Sequence, residues 1–294
     1  MPIRLRRSAL FMPGANARAL EKAQTLTTDA VILDLEDSVA PSAKALARSQ
    51  VCEVARARVY GRREVLIRIN ALDTPWGEDD LAAACQARPD AILVPKISCM
   101  DDVSNVAARM KLLGGDGINI WLMIETPRAV LDIGAIARMR THVPQLVAFI
   151  IGANDLAKET RATLSHGRAA IIPWLSQIVL AARAYGLDVI DSVYNDHADL
   201  DGFRAECAQG RDLGMDGKSL IHPTQIAPCN EMFSPGAEEI AWARQISAAF
   251  ALPENAQLGV ISIDGKMVER LHLEIAERVL AVAAPADADV KTRT

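Results

Sequence analysis

The sequence predicts a (β/α)8 barrel, and three observations lead to that fold class. Eight strand-like apolar runs alternate with helix-like segments from near residue 8 to about residue 225. The helix-like segments carry apolar residues at three- and four-residue spacing, as amphipathic helices do. The run 120–124 is continuously apolar, which is typical of a parallel strand covered by helices on both faces. An open doubly wound sheet is the alternative, because one or two short strands are easily misassigned.

The predicted elements follow one another without a low-complexity linker. Strands are expected at 8–12, 30–35, 64–69, 91–96, 119–125, 145–151, 188–193 and 218–221. Helices are expected at 16–27, 41–58, 78–87, 100–113, 128–139, 169–185 and 200–213. A further helix at 238–250, a hairpin around Asp264 and Gly265, and a last helix at 269–282 exceed what a barrel needs. We therefore predict a catalytic barrel domain at 1–228 and an extension at 229–294 that acts as a lid or a subunit contact.

Composition excludes several classes of protein. Half of the 294 residues are hydrophobic, yet no apolar run approaches the roughly 20 residues of a membrane-spanning helix. The basic start followed by a short apolar run is similar to a signal peptide, but Pro13-Gly14 interrupts it, and we predict none. A net charge of −5 argues against broad affinity for nucleic acids or anionic membranes. Five scattered cysteines without CxxC spacing indicate reduced thiols and a cytoplasmic protein.

Two carboxylates at neighbouring strand ends predict a metal site. Glu125 ends the fifth predicted strand, and Asp155 follows the sixth in the sequence GANDLA. Neighbouring strands lie about 5 Å apart, so both side chains can reach one ion at the carboxyl end of the barrel, where barrel enzymes have their active sites. Oxygen ligands without clustered Cys or His point to Mg²⁺, with Mn²⁺ also possible. The alternatives are loop hydrogen bonds, or a helix N-cap in the case of Asp155.

Arg68 ends an otherwise apolar predicted strand and needs an anionic partner. Its planar guanidinium suits a bidentate carboxylate, such as that of a substrate. The alternative is a salt bridge to Glu36 or Asp37, which close the sequence VILDLED. These two acids are predicted to hold metal-bound waters in the layer behind the ligands. Asp34, in the same run, is predicted to be structural.

Taken together, these stretches resemble the citrate lyase β-subunit-like family of the HpcH/HpaI aldolases, which includes malyl-CoA and citramalyl-CoA lyases. The matching sequences cover nearly the whole chain in order: SALFMPG, AVILDLEDSVAPSAK, LIRINALDTPWGEDDL, ILVPKI, MIETPRAVL, IGANDLA, IDSVYND, DGKSLIHPTQ and DGKMVER. The resemblance implies a Mg²⁺-dependent TIM barrel that cleaves or forms the carbon–carbon bond between an acyl-CoA and a 2-oxo acid. It also implies small-molecule partners only and a homo-oligomer, a trimer or a hexamer.

The resemblance assigns roles to individual residues. It implies that Glu125 and Asp155 bind the metal and that Arg68 binds the carboxylate of the oxo acid. It implies that Asp264, reaching in from a neighbouring subunit, is the catalytic acid and base. The alternative for Asp264 is a plain turn residue, since Asp-Gly is favoured in hairpins. Many members have GAED where this chain reads GAND, so Asp155 is kept while the local charge falls by one.

The likeness also implies a coenzyme A site. His222 and Pro223 in the IHP stretch are expected to form part of it. Family members often carry PGNRP, whereas this chain reads PGANAR, with Asn16 where arginine is common. Arg18 and Lys22, one helical turn apart, are therefore the candidates for contacts with the CoA phosphates.

Three other functions remain open at this point. A thioesterase would hydrolyse the same class of CoA esters, and a citryl-CoA lyase subunit would act within a citrate lyase complex. An aldolase without a metal would form a Schiff base, with Lys96 as the candidate, although an ion-paired lysine is the preferred interpretation. The sequence contains neither GxxxxGK[ST] nor GxSxG, so it gives no sign of a nucleoside triphosphate site or a serine hydrolase elbow. His142, His166, His197 and His272 lack metal-ligand spacing and are predicted to be surface or loop residues.

Overall fold

The computed structural model describes residues 4–291, apart from the side chains of residue 166 and of residues 285–291. Eight strands precede the C-terminal region: β1 Ser8–Pro13, β2 Ala30–Asp34, β3 Glu64–Arg68, β4 Ala91–Val94, β5 Asn119–Ile124, β6 Leu146–Ile151, β7 Asp188–Asp191 and β8 Gly217–Leu220. The helices between and after them are α1 Ala17–Ala23, α2 Lys44–Ala57, α3 Gly77–Ala87, α4 Met100–Leu112, α5 Pro127–Leu131, α6 Ile133–Arg138, α7 Ala153–Thr160, α8 Ile172–Ala184, α9 Leu200–Asp212 and α10 Ile226–Met232.

The eight strands close into one parallel barrel in sequence order, with β1 pairing both β2 and β8. The predicted (β/α)8 fold is confirmed, and the open sheet is wrong. Strands such as β2, β3 and β4 are buried at every position, which explains their unbroken apolar runs. The barrel interior packs Leu66, Leu93 and Trp121 against small residues such as Ala9. Because the interior is filled, chemistry is restricted to the loops at the strand ends.

Several predicted helices differ from the observed ones near their ends. The predicted helix 128–139 is two short helices, α5 and α6, that meet at Asp132, whose φ of −96° and ψ of 8° leave the helical region. The predicted helix 16–27 ends at Ala23, ahead of Thr25 and Thr27, which are weak helix formers. Helix α2 is preceded by a 3-10 turn, Pro41–Ala43. None of these differences moves a strand end.

Helix α7 is missing from the predicted helices, although a helix after Asp155 was one alternative for that residue. Its eight residues are too few to show a clear apolar period. Gly152 is the N-cap, and Asp155 lies in the first turn of the helix. The alternative of Asp155 as N-cap is therefore wrong.

The chain divides into two compact units, residues 6–230 and residues 1–5 with 231–294. In the second unit, helix α11 Ala237–Ala251 precedes an antiparallel hairpin, β9 Val260–Ile263 and β10 Lys266–Glu269, and helix α12 Arg270–Lys291. Ile246, Phe250, Ile261 and Val268 form its apolar core. Among residues 4–291, no helix combines the length and the apolar surface that a membrane crossing requires.

Candidate metal and substrate site

The carboxyl ends of β2 to β6 bring a set of charged side chains to one end of the barrel. Glu125 follows β5 directly, and Ile124 of β5 pairs in register with Ile151 of β6. The two strand ends are therefore level, and the N–H of Gly152 donates to the carbonyl oxygen of Ile124 at 3.0 Å. This register sets Glu125 beside the first turn of α7, which carries Asp155.

Glu125 and Asp155 face a common point, at which the ammonium group of Lys96 lies. Lys96 Nζ is 2.9 Å from Asp155 Oδ1 and 3.4 Å from Glu125 Oε1. The backbone N–H of Lys96 also donates to Glu125 Oε1 at 2.8 Å, from a left-handed conformation with φ of 56°. A cation thus lies between the two acids, as a metal ion would.

Glu125 is fully buried, and only one of its two carboxylate oxygens is satisfied. Among the described residues, Oε2 has no hydrogen-bond partner. Burial and the neighbouring Asp155 charge raise the pKa of Glu125, while Lys96 opposes the rise. A Cβ atom at position 152 would lie 2.4 Å from Glu125 Cβ and 2.8 Å from Oε2. Glycine at position 152 therefore avoids a steric clash with the side chain of Glu125.

These features fit a divalent metal ion with two protein carboxylates. A buried carboxylate oxygen without a donor is costly unless a cation compensates it. The described residues contain no cluster of three or more His, Cys, Asp or Glu arranged to hold a metal. Two protein oxygens with water and substrate oxygens at the other positions is the usual arrangement for Mg²⁺. Glu125 and Asp155 are the residues that would hold the ion.

Lys96 has the electrostatics of an ion-paired lysine. Burial acts to lower its pKa, but the Glu125 and Asp155 charges prevail and raise the pKa above its ordinary value. A Schiff-base lysine needs the opposite shift, because only the neutral amine attacks a carbonyl. The raised pKa of Lys96 therefore argues against the alternative of an aldolase that forms a Schiff base at this residue.

Arg68 is almost fully buried at the end of β3, and its partners are acids of β2 and the loop after it. Nε and Nη2 donate to the two oxygens of Asp34, at 2.6 and 2.7 Å. Nη1 lies 2.8 Å from an oxygen of Glu36 and 3.4 Å from one of Asp37. The Phe11 ring lies against the guanidinium, 4.7 Å from Cζ to the ring centroid. The salt bridges to Glu36 and Asp37 are present, and Asp34, which was predicted to be structural, is the strongest partner.

Asp34 leaves one edge of the Arg68 guanidinium for other partners. Asp34 occupies the edge formed by Nε and Nη2. On the edge formed by Nη1 and Nη2, Nη1 contacts Glu36, Asp37 and the sulfur of Met123, so a substrate carboxylate would have to displace these contacts. Burial acts to raise the pKa of Asp34, but the paired Arg68 charge lowers it below its ordinary value. Asp34 therefore fixes the orientation of the guanidinium over a wide pH range. A substrate carboxylate would bind the remaining edge in competition with Glu36.

Glu36 and Asp37 lie in different environments. Burial raises the pKa of Glu36 to about 8, against the effect of Arg68 and together with the nearby Glu125 charge. Asp37 is two-thirds exposed. Glu125, a candidate metal ligand, is thus one of the charges that act on Glu36.

Asp191, at the end of β7, belongs to a separate buried network. Its oxygens lie 2.7 Å from Arg168 Nη1 and 2.9 Å from Lys218 Nζ. Burial acts to raise the pKa of Asp191, but these two cations lower it. Lys218 also pairs with Glu206 at 2.6 Å. The charge of Asp191 is therefore compensated by protein side chains.

The candidates for the CoA site lie at β8 and α1. His222 directly precedes a 3-10 turn, Pro223–Gln225, in which Pro223 is the first residue. Burial, His197 and Lys22 all lower the pKa of His222. Helix α1, which carries Lys22, follows β1, and β1 pairs with β8. Arg18 and Lys22 are both exposed on α1.

Asp264 lies in the second unit, at the turn between β9 and β10. Its φ of 51° and the φ of 76° at Gly265 are the left-handed values that a tight hairpin requires. The carboxylate is exposed and accepts a hydrogen bond from Gln245 Nε2 at 2.8 Å. The turn interpretation describes this geometry, and the catalytic role stays a prediction.

Two contacts of candidate site residues had no part in the sequence-based predictions. Asp34 pairs directly with Arg68 in the strand register, a contact between strands 34 residues apart that the sequence alone does not show. The sequence did contain a signal for this contact. Asp34 lies two residues before Glu36, a predicted partner of Arg68, and side chains at that spacing share one face of a strand. His197 stacks on His222, and no sequence pattern indicates that contact.

Comparison with known proteins shows to which family the chain is similar. The HpcH/HpaI aldolase/citrate lyase family model matches residues 7–223. A (3S)-malyl-CoA thioesterase of Cereibacter sphaeroides is 45% identical over 277 residues, 94% of this chain and 94% of that protein. An L-malyl-CoA/beta-methylmalyl-CoA lyase of the same species is 33% identical, with 96% of each chain covered.

A solved structure shows the same similarity. The crystal structure of CitE from Mycobacterium tuberculosis, in complex with magnesium, acetoacetate and coenzyme A, is similar with a TM-score of 0.77 and 27% identity. The match covers 97% of this chain and 100% of that one. The chain belongs to the HpcH/HpaI aldolase/citrate lyase family.

Proposed function

We propose that this chain is a Mg²⁺-dependent enzyme that cleaves malyl-type CoA thioesters into an acyl-CoA and a 2-oxo acid. The observation that carries the proposal is that no donor from the described part of the chain reaches the buried Oε2 of Glu125, a carboxylate that faces Asp155. Arg68, Glu36 and Asp37 gather beside it. The family match and the names of the relatives support a CoA thioester as substrate.

We assign the following roles to the residues of this chain. Glu125 and Asp155 hold the ion, and Arg68 binds the carboxylate of the substrate through its Nη1 and Nη2 edge. Glu36 and Asp37 orient water around the ion. The ion, when bound, polarises the hydroxyl and carboxylate oxygens of the substrate and stabilises developing negative charge.

The reaction needs one proton donor and acceptor besides these groups. The substrate hydroxyl gives its proton to solvent water, the bond between the carbinol carbon and the carbon next to the thioester breaks, and the electron pair of that bond goes to the latter carbon. Asp264 from a neighbouring subunit would protonate that carbon, which gives the acyl-CoA. In the reverse direction it would remove the same proton. This role requires a homo-oligomer, for which we propose a trimer or a hexamer.

A second candidate reaction is hydrolysis of the same thioester, in which water attacks the thioester carbonyl and releases free CoA. The observation that favours it is the 45% identity to a (3S)-malyl-CoA thioesterase over nearly the full chain. Both reactions use the same substrate class and the same site. Their products differ, which makes them separable in one experiment.

The test is incubation of the purified chain alone with malyl-CoA and citramalyl-CoA in the presence of Mg²⁺ or Mn²⁺, followed by mass spectrometry. Oxo acid plus acetyl-CoA demonstrates cleavage, and malate or citramalate plus free CoA demonstrates hydrolysis. Removal of the metal with EDTA should abolish turnover, and added Mg²⁺ should restore it. Inactivity of the isolated chain would indicate instead a subunit of a citrate lyase complex. Turnover that persists without metal would refute the proposed site.

A further inference from the structure

Two imidazole rings stack face to face at the carboxyl end of the barrel. The centroids of the His197 and His222 rings are 4.4 Å apart, and the ring planes are inclined by 17°. His197 lies in the loop that follows β7, and His222 lies two residues after β8. His197 is exposed and His222 half-buried, so the outer face of the pair is the face of His197.

The loops that carry the two rings are fixed by a buried amide. Gln225, which is fully buried, accepts hydrogen bonds from the backbone N–H groups of Ile221 and His222 at 3.1 and 3.2 Å. Its Nε2 donates to the carbonyl oxygen of Tyr194 at 3.0 Å, which joins the β8 loop to the β7 loop. His222 Nδ1 lies 2.8 Å from Thr224 Oγ1, which sets the ring orientation. The stacked pair is therefore exposed but held in place.

Two cationic side chains lie on the helix that follows the neighbouring strand. Helix α1 follows β1, which pairs with β8, and it carries Arg18 and Lys22 on its exposed surface. The Lys22 charge is also one of the causes that lower the pKa of His222, after burial and His197. The acid nearest in sequence, Asp196, is engaged by the backbone N–H groups of Ala198 and Asp199 at 3.1 and 3.3 Å. A flat aromatic face beside cationic side chains is suited to a purine ring with attached phosphates.

We propose that the His197–His222 pair is the stacking platform for the adenine ring of the CoA thioester, with Lys22 next to the nucleotide phosphates. The proposal rests on the proposed function, which supplies the CoA ligand, and adds His197 as a binding residue. Base–aromatic stacking is tolerant of the ring partner, so a phenyl ring should replace the imidazole. The thioester end of the substrate makes no part of this contact.

The test is calorimetry of CoA binding to the full chain, with His197→Ala, His197→Phe and the control His142→Ala. His142 is exposed and precedes β6, at the opposite end of the barrel. We expect His197→Ala to weaken CoA binding about tenfold, which is a typical loss when an aromatic ring that stacks on a base is removed. The same variant should bind adenosine 3′,5′-bisphosphate more weakly by the same factor. Its kcat/KM for malyl-pantetheine, which has no adenine, should not change. His197→Phe and His142→Ala should bind CoA as the wild type does.

Three binding outcomes overturn the proposed stacking platform. CoA binding unchanged in His197→Ala shows that no base stacks there. Equal losses for CoA and malyl-pantetheine, or a Phe variant as weak as the Ala variant, indicate only a structural role for His197. If the wild type binds CoA but turns over no malyl thioester, the proposed function fails while these binding ratios still decide about His197. A wild-type chain that binds neither CoA nor the bisphosphate contradicts both proposals.

Discussion

Replacement of Lys96 by methionine should strengthen binding of Mg²⁺. The Lys96 ammonium lies 2.9 Å from Asp155 and 3.4 Å from Glu125, so it competes with a metal ion for both carboxylates. Two unit charges about 4 Å apart interact by about 4 kcal/mol at an effective dielectric constant of about 20. The Lys96 side chain is one-third exposed, and solvent reduces this value. We expect at least about 1.4 kcal/mol, which corresponds to about tenfold tighter binding.

The assay is calorimetric titration of wild type and Lys96→Met with Mg²⁺, with Lys111→Met as the matched control. Lys111 is exposed on α4, away from the strand ends. Without metal, Lys96→Met should melt at a lower temperature than wild type, because buried Glu125 loses its nearest cation. Added Mg²⁺ should raise its melting temperature more than that of wild type. Equal or weaker Mg²⁺ binding by Lys96→Met would show that the two acids are not the metal ligands.

Three further substitutions test the parts of the site separately. Asp34→Asn removes the paired carboxylate of Arg68 and should lower the free energy of unfolding by about 3–5 kcal/mol in urea titrations; a loss below about 1 kcal/mol would contradict the pairing. Gly152→Ala should displace Glu125 and weaken Mg²⁺ binding about tenfold or more in calorimetry, since a Cβ there lies within 2.4 Å of Glu125 Cβ. Because the pKa of Asp191 is lowered in the folded state, its ionisation stabilises the fold above the unfolded value of about 3.9, and this stabilisation is lost as pH falls through the folded value. The difference in unfolding free energy between wild type and Asp191→Asn should thus be constant from pH 5 to 8 and shrink in acid; growth of that difference in acid would contradict it.

The barrel could be predicted because its signals are local. Strands buried on both faces, such as β2 and β5, appear in the sequence as unbroken apolar runs, and their alternation with amphipathic helices defines the fold. The grouping of Arg68, Glu125 and Asp155 followed from strand ends alone, since parallel strands end at one edge. Their assignment as substrate and metal ligands remains a proposal.

The contacts that shape the site could not be predicted, because they depend on tertiary register and on loop conformation. The pairing of Asp34 with Arg68 depends on how β2 aligns with β3. The position of the Lys96 ammonium depends on a left-handed backbone conformation that a non-glycine residue seldom adopts. The stacking of His197 on His222 joins two loops that only the closed barrel brings together.

The most direct test is the binding of Mn²⁺, followed by electron paramagnetic resonance, to wild type, Glu125→Gln, Asp155→Asn and the exposed control Asp101→Asn. We predict one tight site per wild-type chain, retained in the control. Each of the two site variants should lose at least about tenfold in affinity, because each removes a charged oxygen ligand. Mn²⁺ binding by Glu125→Gln and Asp155→Asn that equals that of wild type would contradict the proposal that these two acids share a metal ion.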